Sequence, residues 1–252
     1  MVVFKTKNDP DIIGFIKPMH KSVKRFLDKI ILVFHRIQTR LKVGKTHPDY
    51  YFYNLDERKS NFSAKAVLRK IDFNPDVIYI HWVSNFINTA TIHELAQLTR
   101  AKMYWVLIDN APITGGCHYP WNCKGYETDC SDCPALLTAS KKHIAKRNFA
   151  TKKANFPPDV RFLTISSTDQ RRAEKCGFYL NRSVSVILQP VNGKIFHPTS
   201  KSQARTDLNL PQDKKIIFFA ATDISERRKG FAELQEATNY LCEKTLNGGG
   251  GG

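Results

Sequence analysis

Four of the six cysteines lie within 17 residues, in the stretch GGCHYPWNCKGYETDCSDCP (115–134). Their spacing, Cys117-x5-Cys123-x6-Cys130-x2-Cys133, ends in the C-x-x-C pair common in structural zinc sites, although the first gap is wider than in a standard finger or ribbon. His118 adjoins Cys117 and can replace a ligand only if the loop bends sharply. Three readings stay open: four thiolates around a structural zinc ion, packed reduced thiols, or an oxidised pair.

Polar residues follow the apolar runs of the chain. His81 is the penultimate residue of DVIYIHW, Asp109 follows KMYWVLI, and Ser167 ends RFLTISS. Gly115 and Gly116 come shortly after Asp109, and two adjacent glycines let the backbone turn tightly and approach a ligand. A plain turn is the alternative for these glycines.

A second candidate site lies in ERRKGF (226–231), just before a predicted helix. Positive side chains at a helix N-terminus oppose the helix dipole unless an anion lies between them. A phosphate there would be bound by backbone N–H groups together with Arg228 and Lys229. Exposed surface charge is the alternative.

The elements that must position these residues alternate between apolar β-rich runs and helical spacing. This pattern predicts an α/β fold with a doubly wound, Rossmann-like parallel sheet, whose ligands bind beyond the carboxyl ends of the strands. The predicted strands are 76–82, 102–108, 161–167, 183–190 and 214–221, with helices at 90–99, 167–177 and 231–244.

Composition shifts divide the chain. We predict an N-terminal domain over 1–192, a linker over 193–213, the first strand and helix of a second Rossmann-like domain over 214–246, and a glycine tail over 247–252. Because one βα unit cannot form a domain, the second domain is expected to be cut off, and the sequence is expected to be a fragment.

The net charge of +16 calls for an anionic partner, such as nucleic acid, a lipid surface or a phosphate-bearing substrate. Residues 20–41 have apolar residues at helical spacing and six basic residues against one acid, a pattern that suits either an anionic membrane surface or a helix packed on its own domain. The N-terminus has no apolar signal-peptide core, so we predict a cytoplasmic protein, peripheral at the inner membrane face if that helix binds lipid.

Residues 74–240 resemble family-four glycosyltransferases, which have the two-domain GT-B architecture, and specifically the branch that builds bacterial surface polysaccharides. The resemblance is carried by DVIYIHW, WVLIDNAPITGGCHYPWNC, YETDCSDCPAL and RKGF. It implies transfer of a sugar from a nucleotide-sugar donor to a glycan or lipid-linked acceptor, with retained configuration and without a catalytic metal.

The resemblance also implies roles for single residues. Asp109 and His118 would be catalytic, and Arg228 and Lys229 would bind the donor phosphates. Acceptor binding would fall to residues at strand ends and in the glycine turn, namely His81, Gly115, Gly116 and Ser167. Most of the donor domain is absent, so no transferase activity is expected from this chain alone.

A different class of function is a zinc-stabilised, basic nucleic-acid-binding module. The basic residues are scattered and no finger or RNA-binding motif is present, so nucleic acid is not the expected partner. A non-catalytic remnant that docks on a membrane is the third hypothesis.

Overall fold

The structure is a computed structural model that describes residues 2–5, 12–16, 37, 41–180, 182 and 184–247. They fall into two compact units, one up to Gln189 and the other from Pro190 onward. The first unit is an α/β structure in which helices flank an all-parallel sheet, consistent with the predicted Rossmann-like doubly wound class.

Two parallel sheets form the first unit, one of two strands and one of four. The small sheet pairs β1 (Val2–Lys5) with β2 (Ile13–Ile16). The larger sheet runs in the order β3 (Val77–Ile80), β4 (Lys102–Leu107), β5 (Arg161–Thr164) and β6 (Val184–Val186). Consecutive strands are neighbours, so polar residues that follow β3 and β4 come together at one sheet edge.

The helices of the first unit whose bounds the structure describes are α1 (Ala64–Leu68), α2 (Thr89–Thr99), α3 (His143–Asn155) and α4 (Ser167–Glu174). Side-chain caps start three of them, because Ser63, Asn88 and Ser166 each accept a hydrogen bond from a backbone N–H of the first turn. The cap of α2 is Asn88, directly before Thr89. Short 3-10 turns at Pro48–Tyr50, Ala111–Ile113, Gly125–Glu127 and Ala139–Lys141 build the connections.

An aromatic cluster forms much of the core beneath β4 and β5. Trp105 and Phe162 lie on these strands, and Phe156 and Tyr179 pack against them with ring centroids 4.3 to 6.3 Å apart. The Tyr179 hydroxyl accepts a hydrogen bond from the Phe162 backbone and donates one to the Val160 carbonyl. This core holds the strands rigid below the polar edge of the sheet.

The second unit contains α5 (Lys201–Asp207), a 3-10 turn at Arg227–Lys229 and α6 (Phe231–Asn247). Two predictions need correction here. Helix α5 lies in the stretch predicted as a linker, and its Arg205 is 8% exposed because the guanidinium donates to carbonyls of the following loop. The strand predicted over 214–221 is not formed, since a strand needs a neighbouring strand to pair its backbone.

The basic helix predicted over 20–41 lies outside the described residues except for Ile37 and Leu41, which are helical and exposed. Among the helices that the structure describes, none has both the length and the apolar character that crossing a bilayer requires.

Candidate functional site

His118 and Asp109 form a buried hydrogen-bonded pair next to the carboxyl end of β4. The Nδ1 atom of His118 lies 2.8 Å from Asp109 Oδ2, and the two side chains are only 5% and 10% exposed. The other carboxylate oxygen of Asp109 accepts the backbone N–H of Ala111, which fixes the carboxylate in place. In its neutral form the imidazole then carries its proton on Nδ1, because a carboxylate can only accept, and it presents Nε2 as an acceptor.

Backbone contacts place His118 in this position. Its N–H donates to the Tyr50 carbonyl at 3.0 Å, and its own carbonyl accepts the N–H of Asn110 at 3.0 Å. The preceding residue, Cys117, forms an antiparallel bridge with Phe52. The imidazole is thus held between the loop after β4 and the segment that follows Pro48–Tyr50.

Aromatic and hydroxyl groups surround the outer side of the imidazole. The rings of Tyr53 and Trp82 meet it edge-on, with centroids 5.1 and 6.1 Å away. The hydroxyl of Ser84 lies 3.5 Å from Nε2. Trp82 is 61% exposed, so an indole face is open to solvent beside the pair.

A cleft of about 510 Å³ opens here, within the range of small-ligand sites. Its walls come from the ends of β3 and β4 and from the loop before α1. Six polar or aromatic residues among those that line it are Glu57, His81, Trp82, Ser84, Asp109 and Lys152. The predicted strand-end residues His81 and Asp109 therefore share one cleft, as expected for neighbouring parallel strands.

A buried polar network underlies this cleft. Glu57 is 5% exposed, and its carboxylate accepts from the Thr89 backbone at the start of α2, from the Thr89 hydroxyl and from the Asn54 amide. Lys152 of α3 lies 4.0 Å from Glu57 and donates to the carbonyls of Ala111 and Thr114. The network ties the loop after β4 to α2 and α3.

Sequence reasoning missed this network. Glu57 sits in the charged stretch LDERKS, which looks like a solvated loop. Lys152 is flanked by another lysine in α3. The available signal was the spacing of Ile144, Asn148 and Lys152, which places two polar side chains on the buried face of α3.

The four clustered cysteines line one small, separate cavity of about 10 Å³, roughly the space of one water molecule. Cys117, Cys130 and Cys133 are buried and Cys123 is partly exposed, and none of the chain's six cysteines forms a disulfide. As the side chains stand, no group of three or more His, Cys, Asp or Glu among the described residues is arranged to hold a metal ion.

Burial shifts the acidity of these thiols. It raises the pKa of Cys117 to about 12, and it also raises the pKa values of Cys130 and Cys133. A negative charge on Cys123 would raise all three further, which shows that the sulfurs lie near one another. The buried thiols are therefore neutral at physiological pH unless a cation compensates their charge.

Gly115 and Gly116 line the cysteine cavity and are absent from the cleft walls. A Cβ at Gly115 would overlap the backbone carbonyl of Ala145 in α3. Gly116 has a φ of 140°, and its Cβ would come within 2.8 Å of the Phe52 ring. Both glycines serve close packing of the loop against α3 and Phe52.

The other predicted residues lie elsewhere. Ser167 is exposed at the start of α4 and does not line the cleft. Arg228 and Lys229 belong to the second unit, where they precede α6 as the sequence indicated. The Arg228 guanidinium lies 2.5 Å from the Glu226 carboxylate, and Lys229 is exposed.

Comparisons with known proteins give no family: no family model matches the chain, and no curated protein or solved structure matches it significantly.

Proposed function

We propose that this chain is the acceptor-binding part of a glycosyltransferase of the hexosyltransferase type. The reaction is transfer of a sugar from a nucleotide-sugar donor to a glycan or lipid-linked acceptor, with retained configuration. The observation that carries the proposal is the buried His118–Asp109 pair, of which Asp109 lines the cleft at the carboxyl ends of β3 and β4 together with the exposed indole of Trp82. The sequence resemblance to family-four glycosyltransferases supplies the reaction class.

The cleft has the groups that bind a saccharide. The exposed face of Trp82 offers a stacking surface for the apolar face of a sugar ring, and His81 and Ser84 provide hydrogen-bonding groups around it. In the proposed complex, Nε2 of His118 accepts a hydrogen bond from the reacting hydroxyl of the acceptor. Asp109 holds the imidazole in the tautomer that makes this possible.

The donor contacts belong to the second unit. Lys229, with Arg228 beside it, would stabilise the negative charge that develops on the leaving diphosphate. Backbone N–H groups at the start of α6 would add to this stabilisation. No metal ion is needed for this step, because the basic side chains provide the positive charge.

Acceptor binding by this chain tests the proposal without requiring turnover. Calorimetric titration with a panel of oligosaccharides and lipid-linked saccharides should find one class of ligand that binds. His118→Ala should weaken that binding by about tenfold, the effect of losing one hydrogen bond worth ~1.4 kcal/mol. His197→Ala, which changes an exposed histidine of the second unit, is the matched control and should bind normally.

The donor side is tested in parallel by titrating nucleotide sugars into the chain and into Lys229→Ala. Weaker donor binding by the variant supports the proposal. The assignment fails if no saccharide and no nucleotide sugar binds, or if binding is the same in wild type, His118→Ala and Lys229→Ala.

A further inference from the structure

The four cysteines of the 115–134 loop come from separate turns and yet face the same cavity. Cys117 lies on the bridge to Phe52, Cys123 and Cys130 flank the 3-10 turn Gly125–Glu127, and Cys133 follows that turn. Tyr50, Tyr126 and Pro134 help to close the cavity from solvent. The described residues of the wall include no carboxylate or imidazole, so the four thiols are the donors in it that a zinc ion prefers.

Backbone donors already surround these sulfurs. The N–H of Gly115 lies 3.3 Å from Cys130 Sγ, and the N–H of Gly125 lies 3.4 Å from Cys123 Sγ. Hydrogen bonds of this kind stabilise a thiolate more than a neutral thiol, and they orient metal ligands in protein sites.

His118 is not part of this set. Its Nδ1 atom is bonded to Asp109 and its Nε2 atom faces Ser84, so both ring nitrogens are directed away from the cysteine cavity. The neighbouring residues Cys117 and His118 therefore belong to two different sites.

We propose that Cys117, Cys123, Cys130 and Cys133 bind one zinc ion as a closed, tetrahedral structural site. Binding releases thiol protons to solvent and involves no electron transfer. Zn–S bonds of about 2.3 Å bring the sulfurs to about 3.8 Å from one another. Zinc draws the side chains into this geometry from their positions as packed neutral thiols, and the cavity contracts around the ion.

The site would fix the loop that carries His118. Cys117 immediately precedes His118, and Leu136, close after Cys133, forms a bridge with Thr46. The loop has little regular structure. A metal ion bound by all four cysteines would cross-link these segments and stabilise the loop. The inference does not depend on the proposed sugar transfer, because the metal is detected without any donor or acceptor.

The first experiment measures metal in the 252-residue chain, expressed with zinc in the medium and purified without chelator. Elemental analysis should give one zinc per chain. Cobalt added to metal-stripped protein should produce thiolate-to-cobalt charge-transfer bands and the visible bands of a tetrahedral site. A protein with negligible zinc that also gives no such bands would overturn the proposal.

Variants identify the ligands. Cys130→Ser and Cys133→Ser should each lose most of the zinc and unfold at lower temperature. Cys242→Ser removes an exposed cysteine of α6 and should keep one zinc per chain. Retention of full metal by both cluster variants would refute the site. So would a mass shift of two hydrogens in the native protein, because it identifies an oxidised pair. If the cluster variants do not fold, the cobalt spectrum of the wild type still decides.

Discussion

Asp56 has the most strongly lowered pKa among the described acidic side chains. Arg58 contacts both of its oxygens, at 2.8 and 2.9 Å, and Arg147 of α3 lies 3.6 Å away. The hydrogen bond from Arg58 is the main reason that the pKa of Asp56 falls from 3.8 to about 2. The pair attaches the loop at the cleft rim to α3.

Acid should therefore weaken this attachment. A carboxyl group with a lowered pKa in the folded state stabilises the fold above its unfolded pKa of about 3.9 and loses that contribution as pH falls towards about 2. Chemical denaturation between these pH values should show a declining free energy of unfolding, and Asp56→Asn should make the decline shallower.

The control for this measurement is Asp159→Asn, which replaces an exposed acid and should leave the slope unchanged. Identical pH profiles for wild type and Asp56→Asn would contradict the assigned role of Asp56.

At the scale of elements, apolar runs were the reliable signal. Strands β3 and β4 form within DVIYIHW and KMYWVLI, because β-branched and aromatic residues favour extended backbone. Helix α6 contains FAELQEATNYLCEK, whose apolar residues recur at helical spacing. The run KKIIFFAA has the same composition as these strands, but it has no neighbouring strand in the second unit. Phe218 in this run is 85% exposed, which shows that composition alone does not make a strand.

Helix α3 could not be predicted from hydrophobicity because its buried face is partly polar. Asn148 is 0% exposed, and Lys152 lies one turn further along the same face. The site shows the same limit. Asp109 and His118 were predicted from their positions in the chain, but their pairing depends on the backbone bonds of the 115–134 loop, which no local pattern encodes.

Asn148 provides a stability test for α3. Its side-chain amide donates to the Asn54 carbonyl at 2.7 Å, and its side-chain oxygen accepts the Glu57 N–H at 3.1 Å. Asn148→Ala leaves these two backbone groups without their partners, at a cost of ~1–3 kcal/mol each. The free energy of unfolding, measured with urea, should fall by about 2–5 kcal/mol.

The matched control on the same helix is Thr151→Ala. The Thr151 hydroxyl bonds only to the Arg147 carbonyl of its own helix among the contacts described, so the cost should stay below about 1 kcal/mol. Equal losses for the two variants would show that the Asn148 contacts do not hold the cleft loop.

At the scale of the whole molecule, the chain carries a net charge of +16. A groove at the end opposite the cleft is lined by basic side chains near the starts of β4 and β5, namely Arg100, Lys102, Arg161 and Arg182, with Asp159 as the acid among them. The two ends of β4 thus have different characters, one suited to a neutral polar ligand and the other to an anionic surface.

We predict that this basic groove attracts the chain to anionic membranes. The chain should cosediment with vesicles that contain anionic lipid and not with neutral vesicles, and added salt should release it. The double variant Lys102→Glu, Arg161→Glu should reduce partitioning by at least about tenfold, since each basic residue near such a surface contributes about 1 kcal/mol.

Charge reversal at Lys194 and Lys201, two exposed lysines of the second unit, is the control and should have a smaller effect. Tighter binding to duplex DNA or RNA than to anionic vesicles at equal salt would instead favour the nucleic-acid hypothesis.

Because Cys117 is bridged to Phe52, the number of residues in the 115–134 loop is itself constrained. Successive side chains of extended backbone point in opposite directions, which is how Cys117 faces the thiol cavity while His118 meets Asp109. One inserted residue would exchange the two faces and disrupt both sites together, whereas a substitution alters one at a time. Related chains that retain either site should therefore keep the number of residues between Gly116 and Tyr119, even where Cys117 or His118 is replaced.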